Sequence, residues 1–316
     1  MYLKQTLLIG ASALLAACAQ TPAKDAAEEA VSTPANDIEQ VADVVVEPVS
    51  VQQYPASLFH ETTSYGLGSN NGYVFSHNND AILVSTDETG IFNAVAMDKT
   101  GAITPLTSSD DNAVYAQSFF PDDDRVLITS DSGGNEIYHV YVRETDGTLT
   151  DLTPGEEVRA SFVGWRDDGE VFYIQTNERD PQTNDLYAYS AADYSREMIF
   201  ENDGKDIADV SPDGRWLALS KDRTNADSNI YLVDFLADDT EPQLITEHEG
   251  DISYGVYDFT ANSETLIYAT NEHGEFNQAW TYNLASGEKH PLIEADWDVS
   301  FVFDSPTGRY LVSAIN

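Results

Sequence analysis

A turn followed by an apolar residue returns along this chain at a nearly fixed interval, and that recurrence limits the fold more than any other property. The apolar residue is Leu83, Leu127, Phe172, Leu217, Leu266 and Leu311, at spacings of 44, 45, 45, 49 and 45 residues. The turns ahead of it read SHNND (Ser76 to Asp80), FPDDD (Phe120 to Asp124), RDDG (Arg166 to Gly169), SPDG (Ser211 to Gly214), TANSE (Thr260 to Glu264) and SPTG (Ser305 to Gly308). In SPDG, Pro presets φ at the second position and Gly can take φ > 0 where a strand reverses.

One unit shows what repeats. Between Asp206 and Thr246 lie IADV, SPDG, RWLALS, the polar stretch Asp222 to Ser228, NIYLVD and QLIT. This reads as four short antiparallel strands, with Asp222 to Ser228 expected to be a turn that builds no core. Two more landmarks share the period. A bulky third-strand residue falls at Val95, Tyr138, Tyr187, Tyr231 and Trp280, and a closing pair at Leu106-Thr107, Leu152-Thr153, Ile199-Phe200, Ile245-Thr246 and Leu292-Ile293. Four strands in about 45 residues is the content of one β-propeller blade. The expected fold is therefore all-β, a β-propeller of four-stranded blades.

Five blades read as complete: residues 73–107, 115–153, 160–201, 207–246 and 257–294. A sixth begins with Val299 to Phe303 and SPTGRYLVSA and is partial at Asn316. A propeller is stabilised by closing on itself, so the expectation is a truncated chain whose parent is seven-bladed and runs to roughly residue 385 at about 45 residues per blade. The alternative is a six-bladed ring in which the lead-in before Tyr73 supplies the missing strands.

The N-terminus has its own logic. Residues 1–17 carry Lys4, then the apolar run Leu7 to Leu15, the pattern of a secretory signal. Leu15-Ala16-Ala17-Cys18 resembles the lipobox of bacterial lipoproteins, which implies a diacylated Cys18 as first mature residue. Cys18 is the only cysteine in 316 residues, so an exported chain has no internal disulfide to make with it. Ala19 stands where inner-membrane retention implies Asp, so the resemblance points to a lipid anchor in the bacterial cell envelope, at the outer membrane facing the periplasm. Residues 18–53 are poor in aromatics and rich in Ala, Glu, Asp, Pro, Thr and Val. They read as a disordered acidic tether spanning on the order of 30 Å, with Val41 to Val51 a candidate isolated strand. The propeller is expected over 54–316.

SPDGRWLALS followed by NIYLVD and QLIT resembles the TolB-type, WD40-like repeat. Ser130 to Val142, SDSGGNEIYHVYV, is similar to the D-x-G-G-N-E-x-x-x-x-Y phrase of propellers that precede the α/β-hydrolase domain of S9 serine peptidases, the prolyl oligopeptidase, dipeptidyl and acylaminoacyl peptidase group. True WD40 blades end their third strand in Trp-Asp. Here that strand ends in Met97-Asp98 or Val233-Asp234, and Trp297-Asp298 falls ahead of blade six.

A hydrolase of that group needs G-x-S-x-G, then an Asp and a His. The sequence contains no G-x-S-x-G, and the family's triad lies after the propeller, so no catalytic residue is assigned. Dipeptidyl peptidases hold a substrate amine with propeller glutamates, but their tandem-Glu segment is absent, and Glu136 is not given that role. The histidines His60, His77, His139, His248, His273 and His290 are scattered and read as exposed loop or strand residues, since His248-Glu249 lacks the second His of a zinc helix. Asp122-Asp123-Asp124 and Asp167-Asp168 could offer oxygens to Ca²⁺, but their place in the recurring turn favours capping of their own backbone. No metal and no cofactor is expected.

With 15 Lys and Arg against 55 Asp and Glu the chain carries −40. Nucleic acid and anionic membrane surfaces are excluded as direct partners. Two functions of different class remain. The first is the substrate-gating propeller of a lipid-anchored S9-like serine peptidase acting on short peptides, with the hydrolase domain outside this chain. The alternative is a non-enzymatic, TolB-like periplasmic propeller that holds a protein partner on its face.

Overall fold

The computed structural model describes residues 52–316, so the expected signal, Cys18 and nearly all of the tether lie outside the described residues. A single 3₁₀ turn, Ala56–Phe59, precedes the strands. Blade 1 comprises β1 (Tyr65–Leu67), β2 (Ala81–Thr86), β3 (Asn93–Asp98) and β4 (Ile103–Pro105). Blade 2 is β5 (Val114–Phe119), β6 (Val126–Ser130), β7 (His139–Arg143) and β8 (Leu149–Asp151), and blade 3 is β9 (Ala160–Trp165), β10 (Val171–Asp180), β11 (Thr183–Ser190) and β12 (Arg196–Phe200). Blade 4 is β13 (Asp206–Val210), β14 (Trp216–Thr224), β15 (Asp227–Asp234) and β16 (Gln243–Leu244). Blade 5 is β17 (Tyr254–Phe259), β18 (Thr265–Thr270), β19 (Gln278–Asn283) and β20 (Lys289–Ile293). The last sheet holds β21 (Val299–Asp304) and β22 (Leu311–Ile315). Each four-stranded sheet is an antiparallel meander in sequence order. The expected count is therefore observed among the described residues: five four-stranded blades and a two-stranded sixth.

The first strands of neighbouring blades touch one another (β9 with β13, β13 with β17, β17 with β21), so the first strand lies nearest the axis and the fourth on the outside. The turn landmarks form the core between blades. Leu83, Leu127, Phe172, Leu217 and Leu266 are fully buried, whereas Leu311, on the two-stranded sheet, is 46% exposed. Apolar burial of this kind stabilises by roughly 25 cal/mol per Å². It joins consecutive blades, as where Phe120 and Leu127 of blade 2 share a cluster with Trp165 and Phe172 of blade 3. The closing pair has a second use. The hydroxyls of Thr107, Thr153 and Thr246 accept the backbone N–H of Ala94, Val140 and Ile230 at 2.9, 3.0 and 2.8 Å, pinning the fourth strand to the third.

Three expectations change. First, register places Tyr187, Tyr231 and Trp280 opposite Ile174, Leu219 and Tyr268, two residues past the landmark. Each also faces the residue two before the end of its closing pair (Met198, Leu244 and Pro291), as Val95 faces Pro105 in blade 1, but in blade 2 that place, opposite Asp151, is held by Tyr141, not Tyr138. Second, Asp222 to Ser228 is no simple turn: β14 and β15 stay paired through Asp222↔Ser228 and Thr224↔Asp227. Paired backbone carries a polar strand there, closed by Arg223 on Asp227 at 2.8 Å. Third, blade 1 begins before Tyr73. The lead-in supplies β1 to blade 1, where Leu67 pairs with Val84.

That third change exposes a regular device. The first strands of blades 2 to 5 carry a β-bulge in the same place, between Ala116 and Ser118, Phe162 and Gly164, Ile207 and Asp209, and Val256 and Asp258, and that of blade 6 has one two residues earlier, between Val299 and Phe301. A bulge inserts an unpaired residue and bends the strand. In blade 1 the ladder breaks after Leu67↔Val84 and resumes at Phe75↔Ile82, with the Leu83 amide donating to the Val74 carbonyl. Gly68 to Tyr73 thus stand where the other blades have one residue, and this strap runs to the axis.

Candidate axial pocket

At the end of the propeller that carries the SPDG-type turns, a cavity of about 300 Å³ lies between the strap and the first strands of blades 3 to 6. The strap is tied on three sides. The Ser69 amide donates to the Gln117 carbonyl at 2.8 Å, the Tyr73 amide to the Ser118 hydroxyl at 2.8 Å, and the Phe119 amide returns a bond to the Tyr73 carbonyl. The Asn71 side-chain amide reaches across to the Val163 carbonyl at 3.0 Å and to Asp209 Oδ1 at 3.2 Å. Gly72 passes so close that a Cβ there would stand 2.6 Å from the Gln117 carbonyl oxygen, and only glycine permits that approach.

The wall on the blade 4 to 6 side is acidic. Asp209 follows the bulge of β13 and Asp258 follows that of β17, so they hold the same position in successive blades. Each carboxylate accepts a backbone N–H from the next blade: Asp209 Oδ2 from Phe259 at 3.3 Å, and Asp258 Oδ2 from Asp304 at 2.9 Å. Asp209 Oδ1 also accepts from Val210 at 2.9 Å, and Asp304 Oδ2 accepts from Ala261 at 3.2 Å. Burial, reinforced by the charge of Asp258, pushes the Asp209 carboxyl up to about 8. Burial, with the Asp304 charge adding to it, pushes Asp258 up to about 6 against the pull of its amide donor. Desolvation disfavours the ionised form, and a like charge nearby does the same. Phe301 and Phe303, their rings 5.8 Å apart, complete this side of the cavity.

Two larger depressions are grooves on the flanks. One, of about 760 Å³, runs beside β12 and contains Arg166 and Arg196, already neutralised by Asp168 at 2.6 Å and Glu178 at 2.8 Å. The other, of about 510 Å³, lies beside β3 and β4. The axial cavity differs from both in bringing together two carboxyls raised by burial.

The sequence-derived candidates fall elsewhere. The Gly-Gly-Asn-Glu loop joins β6 to β7 at the opposite end, with Gly133, Gly134 and Glu136 all at positive φ (65°, 75° and 59°). The loop is held by Gly133 N–H on Asn112 Oδ1 at 2.6 Å and Glu136 N–H on Asp131 Oδ2 at 3.0 Å. The Asp turns cap backbone: Asp123, Asp168 and Asp213 accept the amide two residues on at 2.9, 2.9 and 3.0 Å. Two histidines differ from the exposed class expected for them. His248 is inserted between the Thr246 carbonyl and Asp227, and His139 joins Asp151 at 2.8 Å to the Gly155 carbonyl at 3.0 Å. Among the described residues no group of three or more His, Cys, Asp or Glu side chains is arranged to hold a metal ion, and no helix is long and apolar enough to cross a membrane. Sequence reasoning missed Asp209 and Asp258. Their one signal was an acidic residue two positions ahead of the recurring turn in consecutive repeats, within an otherwise apolar strand.

Four-stranded meanders with their first strands round an axis define a β-propeller. More narrowly, the chain belongs to the family of prolyl oligopeptidase N-terminal β-propeller domains, whose model matches residues 105–314. No curated protein matches the sequence. Among solved structures the chain is similar to an oligogalacturonate lyase in complex with manganese (12% identity, TM-score 0.63, 80% of this chain and 72% of that one). It is also similar to a prolyl endopeptidase (13%, TM-score 0.58, 80% and 39%) and to TolB from Acinetobacter baumannii (19%, TM-score 0.46, 69% and 52%). At these identities the likeness shows the fold alone. The chain spans about half the length of that TolB and 39% of that prolyl endopeptidase.

Proposed function

We propose that this propeller is the substrate-admitting part of an S9-type serine peptidase that acts on short peptides, held at the bacterial envelope by a lipid on Cys18. The observation that carries the reading is the family match over residues 105–314, and the Gly-Gly-Asn-Glu phrase, left-handed at Gly133, Gly134 and Glu136, supports it. The chemistry would be supplied by an α/β-hydrolase segment with G-x-S-x-G, absent from these 316 residues. The propeller would limit what reaches that segment, and the axial pocket is where an incoming peptide would meet it.

The test is to express the gene's complete reading frame beside the 316-residue chain. The longer product should hydrolyse short chromogenic peptides in a manner abolished by a serine-directed inhibitor, and the 316-residue chain should not. A frame without a hydrolase segment would overturn this reading in favour of a protein-binding propeller; inhibitor-sensitive turnover by the short chain would overturn the absence of a triad. For the anchor, a palmitate analogue should label the wild type and leave Cys18→Ala unlabelled and in the soluble fraction. Labelling of that variant would remove the anchor from the proposal.

A further inference from the structure

The junction of blades 4, 5 and 6 is built from groups that an ordinary interior avoids. Asp209 is 6% exposed and has no cationic partner; three N–H groups serve its oxygens, one of them at the long distance of 3.3 Å. Its neighbour in charge is another carboxylate, Asp258, itself next to Asp304. A buried carboxylate and a half-buried one without a cation cannot hold two charges cheaply, and the usual resolution is one proton between them. The ionisable groups that face the pair across the cavity are Asp304 from β21, Tyr257 from β17, and Arg166 with Asp167 from the turn between β9 and β10. Arg166 is committed to Asp168, and the strap brings only the amides Asn70 and Asn71 and the phenol of Tyr73.

We propose that Asp209 and Asp258 share one proton and that this proton latches the axial end of the propeller. With it in place, blades 4 to 6 and the strap close round the cavity. When it leaves to solvent, the buried negative charge of Asp209 stands against the half-buried charge of Asp258, and the junction relaxes by admitting water between β13, β17 and Asn71. The raised protonation of both groups agrees with this, and the shared repeat position with its amide cross-links gives it a geometric basis. Peptide admission would then fall under pH control at the mouth of the pocket. That consequence rests on the function proposed above, whereas the proton and the junction do not, and both are read without any substrate.

Two measurements on the 316-residue chain test the latch. Infrared difference spectra should show the carbonyl band of a protonated carboxyl at pH 7 that disappears by pH 9 and is missing in Asp209→Asn. Absence of the band from the wild type at pH 7 would overturn the shared proton. Amide hydrogen exchange, corrected for the intrinsic effect of pH, should show protection at Phe259 and Asp304 falling at least about ten-fold between pH 6.5 and 9, an equilibrium shift of about 1.4 kcal/mol. In Asp209→Asn the loss should be absent. Unchanged protection in the wild type, or an equal loss in the variant, would overturn the latch. Should Asp209→Asn not fold, Asp258→Asn removes the same charge pair, and it must abolish the loss if the proposal holds.

Discussion

The junction of blades 2 and 3 and the junction of blades 4 and 5 occupy equivalent places in the repeat and are held by different chemistry. At the first, the residue after the bulge is Ser118, whose hydroxyl accepts the Trp165 indole N–H at 2.8 Å. Trp165 packs against Phe120 and Phe172, with ring centroids 5.1 Å from each. Arg125 lies 4.0 Å over Phe120, pairs with Asp123 at 2.8 Å, and donates to the Ala191 carbonyl and the Tyr194 hydroxyl at 2.8 Å. At the second junction the post-bulge residue is Asp209, and its bond to the next blade runs from a backbone amide to a carboxyl without a counter-charge. One junction is fixed by aromatic area and a satisfied cation at any ordinary pH, the other only while a proton is held. A repeat can keep its geometry and still place pH sensitivity in selected interfaces.

The largest effect should come from breaking the aromatic junction. Trp165→Ala removes a buried ring and is expected to cost about 3–5 kcal/mol, measured as the change in urea unfolding free energy and equal at pH 6 and pH 9. Arg125→Ala should follow at about 2–4 kcal/mol, because it strands Asp123 and forfeits the ring contact. Arg125→Lys should recover only part, since an ammonium cannot reproduce the guanidinium fork. Gly72→Ala, which drives a Cβ into the Gln117 carbonyl, should cost about 1–3 kcal/mol and loosen the strap, visible as faster exchange at Ser69 and Tyr73.

The smallest effect at neutral pH, and the sharpest for the comparison, is that of Asp209→Asn. Folded Asp209 keeps its proton up to about 8, whereas in the unfolded chain it loses it near 4. Folding therefore takes up a proton across that window, and this contribution to stability is complete below about pH 4, declines as pH rises and levels off above 8, at up to about 1.4 kcal/mol per pH unit. Asp258 adds the same trend up to about 6. Asp123, Asp168 and Asp234, held below the ordinary range by Arg125, Arg166 and Arg215 against some desolvation, act in the opposite sense and lose their contribution in acid. Melting temperature should peak on the mildly acidic side, and Asp209→Asn should flatten the alkaline limb. An unchanged alkaline slope would erase the distinction between the two junctions.

The fold was legible because burial recurs: a leucine or phenylalanine behind a turn every 45 residues is a core position that sequence displays directly. Blade number and strand order followed from that. The third-strand landmark slipped in blade 2 alone, because Tyr138 and Tyr141 stand three residues apart in one run and nothing in the sequence says which of them holds the paired position. The axial pocket was opaque for a physical reason. Asp209 within IADV looks like any solvent-facing residue of a half-buried strand, and its burial breaks the rule that carboxylates stay wet unless paired. Only the bulge ahead of it turns it toward the axis, and a bulge leaves no residue signature in ADV, YDF or QSF.

The strap has a consequence for how this molecule could be altered. Six residues, Gly68 to Tyr73, stand in blade 1 where its sisters have one, yet the ladder on either side, Leu67 with Val84 and Phe75 with Ile82, keeps its register. The bulge is thus an insertion port whose cargo emerges at the axis without disturbing strand pairing. Four further ports of the same geometry, at Gln117, Val163, Ala208 and Tyr257, lie on the strands round the same channel. Loops grafted there could narrow, line or obstruct it blade by blade while the scaffold outside stays as it is.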